Sequence, residues 1–272
     1  MKFINFIKAH GLGNDFVIID NFDHNINLSN TNIRTMCDRK FGIGCDQLIL
    51  VENSTIANCK MTIFNSDGSK AEACGNASRC VALIQMNAKS VNELKIEINN
   101  NVFEARLNGQ DVTVNMGKAN FNWQNIPLSK PLEDIASDYF FPLSDPIVVN
   151  VGNPHIIFLI DDFEKFDLKE IGPKIEHDQL FPKRVNVTLA KIIDRDNIQV
   201  KVWERGAGAT FACGTAACAT AAAAFHKKLV SQKVNILFKD RSLVINLLKD
   251  NLIEMTGEAK IIFSGKYYLT EK

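Results

Sequence analysis

The chain has 272 residues, 46% of them hydrophobic, enough to bury one large core or two moderate ones. Lys plus Arg and Asp plus Glu both number 31, a balance that argues against a basic nucleic-acid surface or an acidic tail and points to a small-molecule partner. The opening "MKFINFIKAHG" is too short an apolar run for a signal-peptide core, and the weakly polar segment 211–225 is too short to span a bilayer, so a soluble, cytoplasmic protein is expected.

In chain order, clusters of Val, Ile and Phe between turn residues predict strands near 2–8, 15–20, 45–52 and 59–64. A helix follows over about 75–88, then three short strands near 94–98, 101–106 and 111–116 with "NNN" and "NGQD" as turns. All seven prolines lie between 127 and 182, which sets a domain boundary near 117. Strands are predicted again near 147–151 and 155–160, and the charged stretch "DFEKFDLKE" at 162–170 reads as a solvated face. Strands near 184–193 and 197–204 lead to a helix over about 214–228, then strands near 233–239, 242–248 and 252–256. The final strand, "KIIFSGKYYL", lies beyond this second series and is expected to return to the first domain, giving domains of 1–117 with 260–272 and of 118–259.

The second series repeats the first at a constant offset. The spacing from Cys74 to Cys213 recurs from Gly13-Asn14 to Gly152-Asn153, from Gln47 to Asn186, and from Asn65 to Glu204. Such a duplication predicts two similar units related by an approximate two-fold axis, with corresponding residues facing each other across a cleft.

The seven cysteines are odd in number and contain no C-x-x-C pair, which argues against a disulfide framework and a structural zinc site. Two of them share a setting, "ACGNA" at 73–77 and "ACGTA" at 212–216, each opening a predicted helix. Unpaired N–H groups and the helix dipole at such an end lower a thiol's pKa and attract an anion. A glycine after the cysteine lets a ligand approach the backbone, and Asn76 or Thr215 adds a side-chain donor. Two opposed thiols beside a carboxylate site suit one chemistry above others, inversion of an α-carbon without a cofactor. One thiolate removes the proton from one face while a thiol delivers another to the opposite face.

These residues resemble the diaminopimelate epimerase family of cofactor-independent two-cysteine racemases. The resemblance rests on "HGLGNDF" (10–16), "FGIGCDQ" (41–47), "FNSDGSKAEACGNASRC" (64–80), "VGNPH" (151–155), "RVNV" (184–187), "WERGAGATFACGTAAC" (203–218) and "FSG" (263–265), and spans nearly the whole chain. It implies an α+β fold of two pseudo-symmetric domains, each a mainly antiparallel barrel-like sheet around a central helix, with the active site in the cleft between them. It implies interconversion of LL- and meso-2,6-diaminoheptanedioate in lysine biosynthesis, a homodimer, and no pyridoxal phosphate, metal or flavin. Cys74 and Cys213 would be the acid/base pair, and Gly75, Asn76, Gly214 and Thr215 would hold the reacting carboxylate. Asn14, Gln47, Asn65, Asn153, Asn186, Glu204 and Arg205 would bind substrate, with His155 and Glu204 tuning the thiols. Ala77, Ala209 and Ala216 depart from the residues usual in the family, and Phe263 stands where a tyrosine linked to dimer formation is common.

Read without the resemblance, several of these positions keep plainer roles. Asn14 and Asn153 suit turns after glycine, Asn65 and Asn186 suit loops between strands, and Gln47 suits a half-buried strand. His155 fits a structural histidine, and Glu204-Arg205 a surface ion pair. Other functions stay open on the same terms: a related racemase for histidine or proline, or a thiol redox or binding protein.

Overall fold

The computed structural model describes residues 3–23, 26–71 and 74–269; Lys2 of the first expected strand, and Glu72 and Ala73 of the first cysteine motif, lie outside them. The chain folds as two compact units, Met1–Val114 with Thr256–Lys272, and Asn115–Met255.

The first unit opens with a hairpin, β1 (Phe3–Gly11) and β2 (Asn14–Asp20), closed by Leu12 and Gly13 at φ 55° and 84°. Both central residues of this two-residue turn are left-handed, the conformation that matches strand twist and favours glycine. Then come α1 (Asn30–Cys37), a second hairpin of β3 (Gln47–Glu52) and β4 (Cys59–Asn65), α2 (Gly75–Lys89), and a meander of β5 (Glu93–Ile98), β6 (Asn101–Asn108) and β7 (Asp111–Lys118). The second unit follows the same plan. It runs β8 (Ile147–Asn150), β9 (Pro154–Leu159), α3 (Leu168–Glu176), β10 (Asn186–Asp194), β11 (Asn197–Glu204), the short β12 (Gly208–Thr210), α4 (Gly214–His226), β13 (Lys233–Leu237), β14 (Ser242–Leu247) and β15 (Leu252–Gly257). The last strand, β16 (Lys260–Tyr268), pairs antiparallel with β1 and so belongs to the first unit.

Strand order is β16-β1-β2-β3-β4-β5-β6-β7 in the first unit and β15-β14-β13-β11-β10-β9-β8 in the second, with β12 on β11. In both, antiparallel hairpins are joined by two parallel contacts, β2 with β3 and β4 with β5, then β9 with β10 and β11 with β13. The register repeats as well. Leu48 faces Phe64 and, at the offset of the two cysteines, Val187 faces Trp203; Phe16 faces Gln47 and, at the same offset, His155 faces Asn186. The first residues of α2 and α4 keep that spacing, and so do the caps that end α1 and α3, Asp38 and His177.

Each sheet curls round its long helix. Helix α2 touches β1, β2, β5, β6 and β16, and α4 touches β8, β9, β10, β11, β13 and β14. Residues 214–224 of α4 are all buried, and nearly all are alanine, threonine or glycine, so strands pack close on every side of a segment with high helix propensity. Ala77 and Ala216 are fully buried in these helices, where alanine favours the helix over glycine by about 1 kcal/mol.

Three elements differ from the sequence expectation. Helix α1 has the polar sequence "NTNIRTMC"; it is started by a capping box between Ser29 and Asn32 and held by Ile33, Met36 and Cys37, which share one buried face. Residues 162–170, expected as a solvated face, instead contain a single 3-10 turn and the start of α3. Phe163 and Leu168 are buried there while the charges between them stay exposed, so the stretch is amphipathic. Helix α4 also stops at His226, short of the expected end, because Lys228 adopts φ 60°. No helix among the described residues is long and apolar enough to cross a membrane.

Candidate active site

In the first unit Cys74 is the N-cap of α2, half-buried, in extended backbone, and its side chain caps no helical N–H. The first N–H groups of the helix therefore lack an internal partner. The thiol donates to Asn14 Oδ1 at 3.6 Å, and Asn76 Nδ2 donates to the same oxygen at 3.3 Å. Each amide is held in one orientation from behind. Asn14 Nδ2 donates to Asp46 Oδ2 at 2.9 Å, and Asn76 Oδ1 accepts from the fully buried Arg79 at 2.8 Å.

Asp46 belongs to a charged network. Arg39 bridges Asp15 and Asp46 at 2.6 and 2.7 Å, and Lys8 donates to Asp15 at 2.6 Å and to the carbonyl of Gly44. Burial works against ionisation of Asp15, yet the hydrogen bonds from Arg39 and Lys8 prevail and hold it well below the usual carboxylate range. Beside this network Gln47 Nε2 donates to Asn65 Oδ1 at 3.0 Å, across a directly opposed strand pair, and Asn65 donates to Ser69. Gln47 Oε1 is buried with no hydrogen-bond partner.

In the second unit Cys213 caps α4 in the same way, again with no side-chain cap bond. It is buried. His155 Nε2–H donates to Asn153 Oδ1 at 2.9 Å, Asn153 Nδ2 donates to Thr215 Oγ1 at 3.3 Å, and Thr215 Oγ1 lies 3.4 Å from Cys213 Sγ. Because Thr215 accepts from Asn153, its own proton is free to turn toward sulfur. Burial pushes the Cys213 thiol well above its ordinary pKa, the charge of Glu204 adds to this, and hydrogen bonds with Thr215 and the Ala216 backbone work the other way.

His155 is wholly buried and its pKa is pushed down to about 3, first by desolvation and then by Arg205, so the ring is neutral. Its route to the thiol is the hydrogen-bond chain through Asn153, with no charge of its own. Asn186 donates to the carbonyl of Pro154 at 2.9 Å and accepts from the Arg205 N–H at 2.9 Å, which ties the Glu204-Arg205 segment to the strand carrying His155.

Every residue singled out from the sequence thus falls into one of two clusters. Cys74, Gly75, Asn76, Asn14, Gln47 and Asn65 gather in the first unit, and Cys213, Gly214, Thr215, Asn153, His155, Asn186, Glu204 and Arg205 in the second. Sequence reasoning missed Asp46 and Arg79. Asp46 sits directly before Gln47 in a glycine-rich loop, and its neighbour was the signal; an arginine five residues after a cysteine carries no such signal. Ala209, on β12, is exposed, and Phe263 meets Phe6 edge-on at 6.0 Å. Among the described residues no cluster of His, Cys, Asp and Glu is suited to a metal ion.

Comparison with known proteins gives the family. The family model described as diaminopimelate epimerase matches residues 6–122 and 147–262. A diaminopimelate epimerase from Pelagibacter ubique is 47% identical over 263 residues, covering 93% of this chain and 95% of that protein. One from Rhizorhabdus wittichii is 42% identical, covering 97% and 95%. Among solved structures, a phenazine biosynthesis protein of the PhzF family from Bacillus anthracis superposes with a TM-score of 0.68 at 14% identity, over 99% of this chain and all of that one. A hydroxyproline epimerase from Agrobacterium vitis gives 0.66 at 11% identity, over 98% and 91%. These last two likenesses are of fold.

Proposed function

The chain belongs to the diaminopimelate epimerase family, and from that premise we propose that it inverts one α-carbon of 2,6-diaminoheptanedioate with Cys74 and Cys213 as its two acid/base groups. It is an isomerase of lysine biosynthesis. The observation that carries the two-thiol reading is the repeated construction: a reduced cysteine as N-cap of each long helix, at equivalent positions of the repeat.

Inversion requires a base on one face of the carbon and an acid on the other. A thiolate at one site takes the α-proton, the electron pair left on carbon delocalises into the carboxylate, and the thiol of the other site delivers its proton from the opposite side. The reverse reaction exchanges the roles. Every proton in this scheme moves between carbon and sulfur. The helix-end N–H groups at Gly75-Asn76 and Gly214-Thr215 receive the carboxylate and stabilise the charge as it builds. Cys213, with its raised proton affinity, rests as the acid; when it must act as base, the Thr215 hydroxyl and the Ala216 N–H support the thiolate. Asn14, Gln47, Asn65, Asn153, Asn186, Glu204 and Arg205 bind the amino-acid groups. Gln47 Oε1, a buried acceptor without a partner, suits a substrate N–H.

The test is isotopic. In deuterated water the donating thiol carries deuterium while the abstracting thiolate receives protium, so early product is expected to be deuterated at the inverted carbon and remaining substrate to stay protiated. Early product that keeps the substrate's own proton would show that one base suffices.

The same reading makes the enzyme a cytoplasmic homodimer in which the two units of each chain serve as its two epimerase domains. Seven free cysteines suit a reducing compartment. Strand β16 is an edge of the first unit's sheet, and Ile261, Ile262, Phe263 and Tyr268 along it are 40 to 55% exposed, with Phe3 of β1 beside them. An exposed apolar edge of this kind favours a second copy. Sedimentation of the wild type and of an Ile262→Asp variant checks it, with dimer expected for the first and monomer for the second.

A further inference from the structure

We propose that Glu176 is a positioning residue that clamps the Glu204-Arg205 segment from behind and so sets the charge facing Cys213. This rests on the reading of Cys213, Glu204 and Arg205 given above.

Glu176 is the last residue of α3 and is buried, 3% exposed. Its two carboxylate oxygens grip the chain on either side of the segment. Oε2 accepts from the indole N–H of Trp203 at 2.8 Å, and Oε1 accepts from the backbone N–H of Gly206 at 2.9 Å, with Arg184 3.7 Å away. Residues 204 and 205 lie between these two fixed points. Trp203 rests directly on the helix, because a Cβ on Gly172 would come within 2.6 Å of the indole. Successive strand residues point to opposite faces, so fixing Trp203 against α3 directs Glu204 the other way, to where its carboxylate acts on Cys213 by charge and hydrogen bond.

The other half of the molecule supplies a control. The repeat places Cys37 in correspondence with Glu176, also as the last residue of its helix, and Phe64 in correspondence with Trp203. The fold plan therefore closes this helix onto its sheet with no carboxylate and no indole. The clamp is present only in the unit whose loop carries a charged pair, and a plain packing role does not account for it.

A carboxylate accepts with both oxygens, whereas an amide accepts with one and donates with the other end. Glu176→Gln should set an NH2 group against either Trp203 Nε1–H or Gly206 N–H and loosen the segment. Expected is a rise in KM of about tenfold or more for either stereoisomer, larger than the fall in kcat, together with a displaced alkaline limb of kcat/KM against pH. Trp203→Phe removes one donor and should fold; alone it is expected to raise KM about threefold. In the double variant the amide oxygen can serve Gly206 while its NH2 meets no indole, so Trp203→Phe/Glu176→Gln should bind substrate better than Glu176→Gln alone. A Glu176→Gln enzyme with wild-type KM and pH profile, whatever its melting temperature, would overturn the proposal. So would an unchanged KM in Trp203→Phe, or a double variant whose KM is no lower than that of Glu176→Gln alone. A wild-type enzyme that exchanged no α-proton with solvent would remove the underlying reading as well; normal wild-type exchange with an indifferent Glu176→Gln would remove this inference alone.

Discussion

The two cysteine sites share a backbone and differ in almost everything placed around it. Both thiols cap the central helix of a curled sheet at equivalent positions of the repeat. Cys74 is half-buried and gives its proton to an amide oxygen that Asp46, Asp15, Arg39 and Lys8 hold in place through ionic contacts. Cys213 is buried at the end of a neutral chain of His155, Asn153 and Thr215, with the charge of Glu204 beside it. The repeated backbone therefore decides where each thiol stands. Proton affinity is set by the side chains that duplication left free to diverge.

The sharpest way to break the comparison is to remove each thiol in turn. Cys74→Ala and Cys213→Ala should each lower kcat/KM by about a thousandfold or more, measured as epimerisation of the α-carbon. A loss confined to one of them would make the other site structural.

Thr215→Val keeps the shape and removes the hydroxyl that faces Cys213. With that support gone the thiolate is harder to form, so kcat should fall about tenfold and the basic limb of the pH profile should move to higher pH. Asp46→Asn, the corresponding change behind Cys74, allows the Asn14 amide to turn over, and a similar loss of rate is expected.

Acid should separate the two regions. His155 titrates at about 3 when folded against 6.5 when free, so the unfolded chain takes up the proton first and the stability tied to the neutral ring is lost as pH falls from 6.5 toward 3. At pH 5 the cost is roughly 2 kcal/mol, read as a drop in unfolding midpoint that His155→Gln abolishes. Asp15 is depressed when folded, so its contribution is complete above the ordinary Asp pKa of about 3.9 and is lost only below it. Hydrogen exchange should accordingly quicken in β9 and β10 at mild acidity, and in β2 and β3 only at stronger acidity.

Arg39→Ala is expected to change stability by less than about 1 kcal/mol, because its side chain is 58% exposed and salt screens the pair. A larger loss in denaturant titration would mean that the ionic cluster carries the Cys74 site more than its exposure suggests.

Much of this was legible in the chain. The constant offset between the two halves located both thiols and the paired asparagines, because turn glycines, strand alternation and alanine-rich helices are local signals that survive without tertiary context. Helix α1 was not legible, since its stability comes from three apolar residues on one face and a capping box in a sequence otherwise full of asparagine. Glu176, Asp46 and Arg79 were missed for a related reason. A charged residue is normally solvated, and only the fold reveals Glu176 and Arg79 as buried, or the exposed Asp46 as holding another side chain in place.

The pairing of β1 with β16 carries a consequence for how the chain is made. Phe3 lies opposite Tyr268, whereas the second unit is drawn from one uninterrupted stretch, residues 115–255. On a ribosome adding about 5–20 residues per second, β1 emerges on the order of tens of seconds before its partner exists. The unit that begins first is thus completed last, its edge open and carrying Ile4 and Phe6 while the later unit has already closed. Message truncated before codon 260 would yield one finished half attached to one with an unpaired strand, a species expected to associate with its own kind and to depend on chaperones for its solubility.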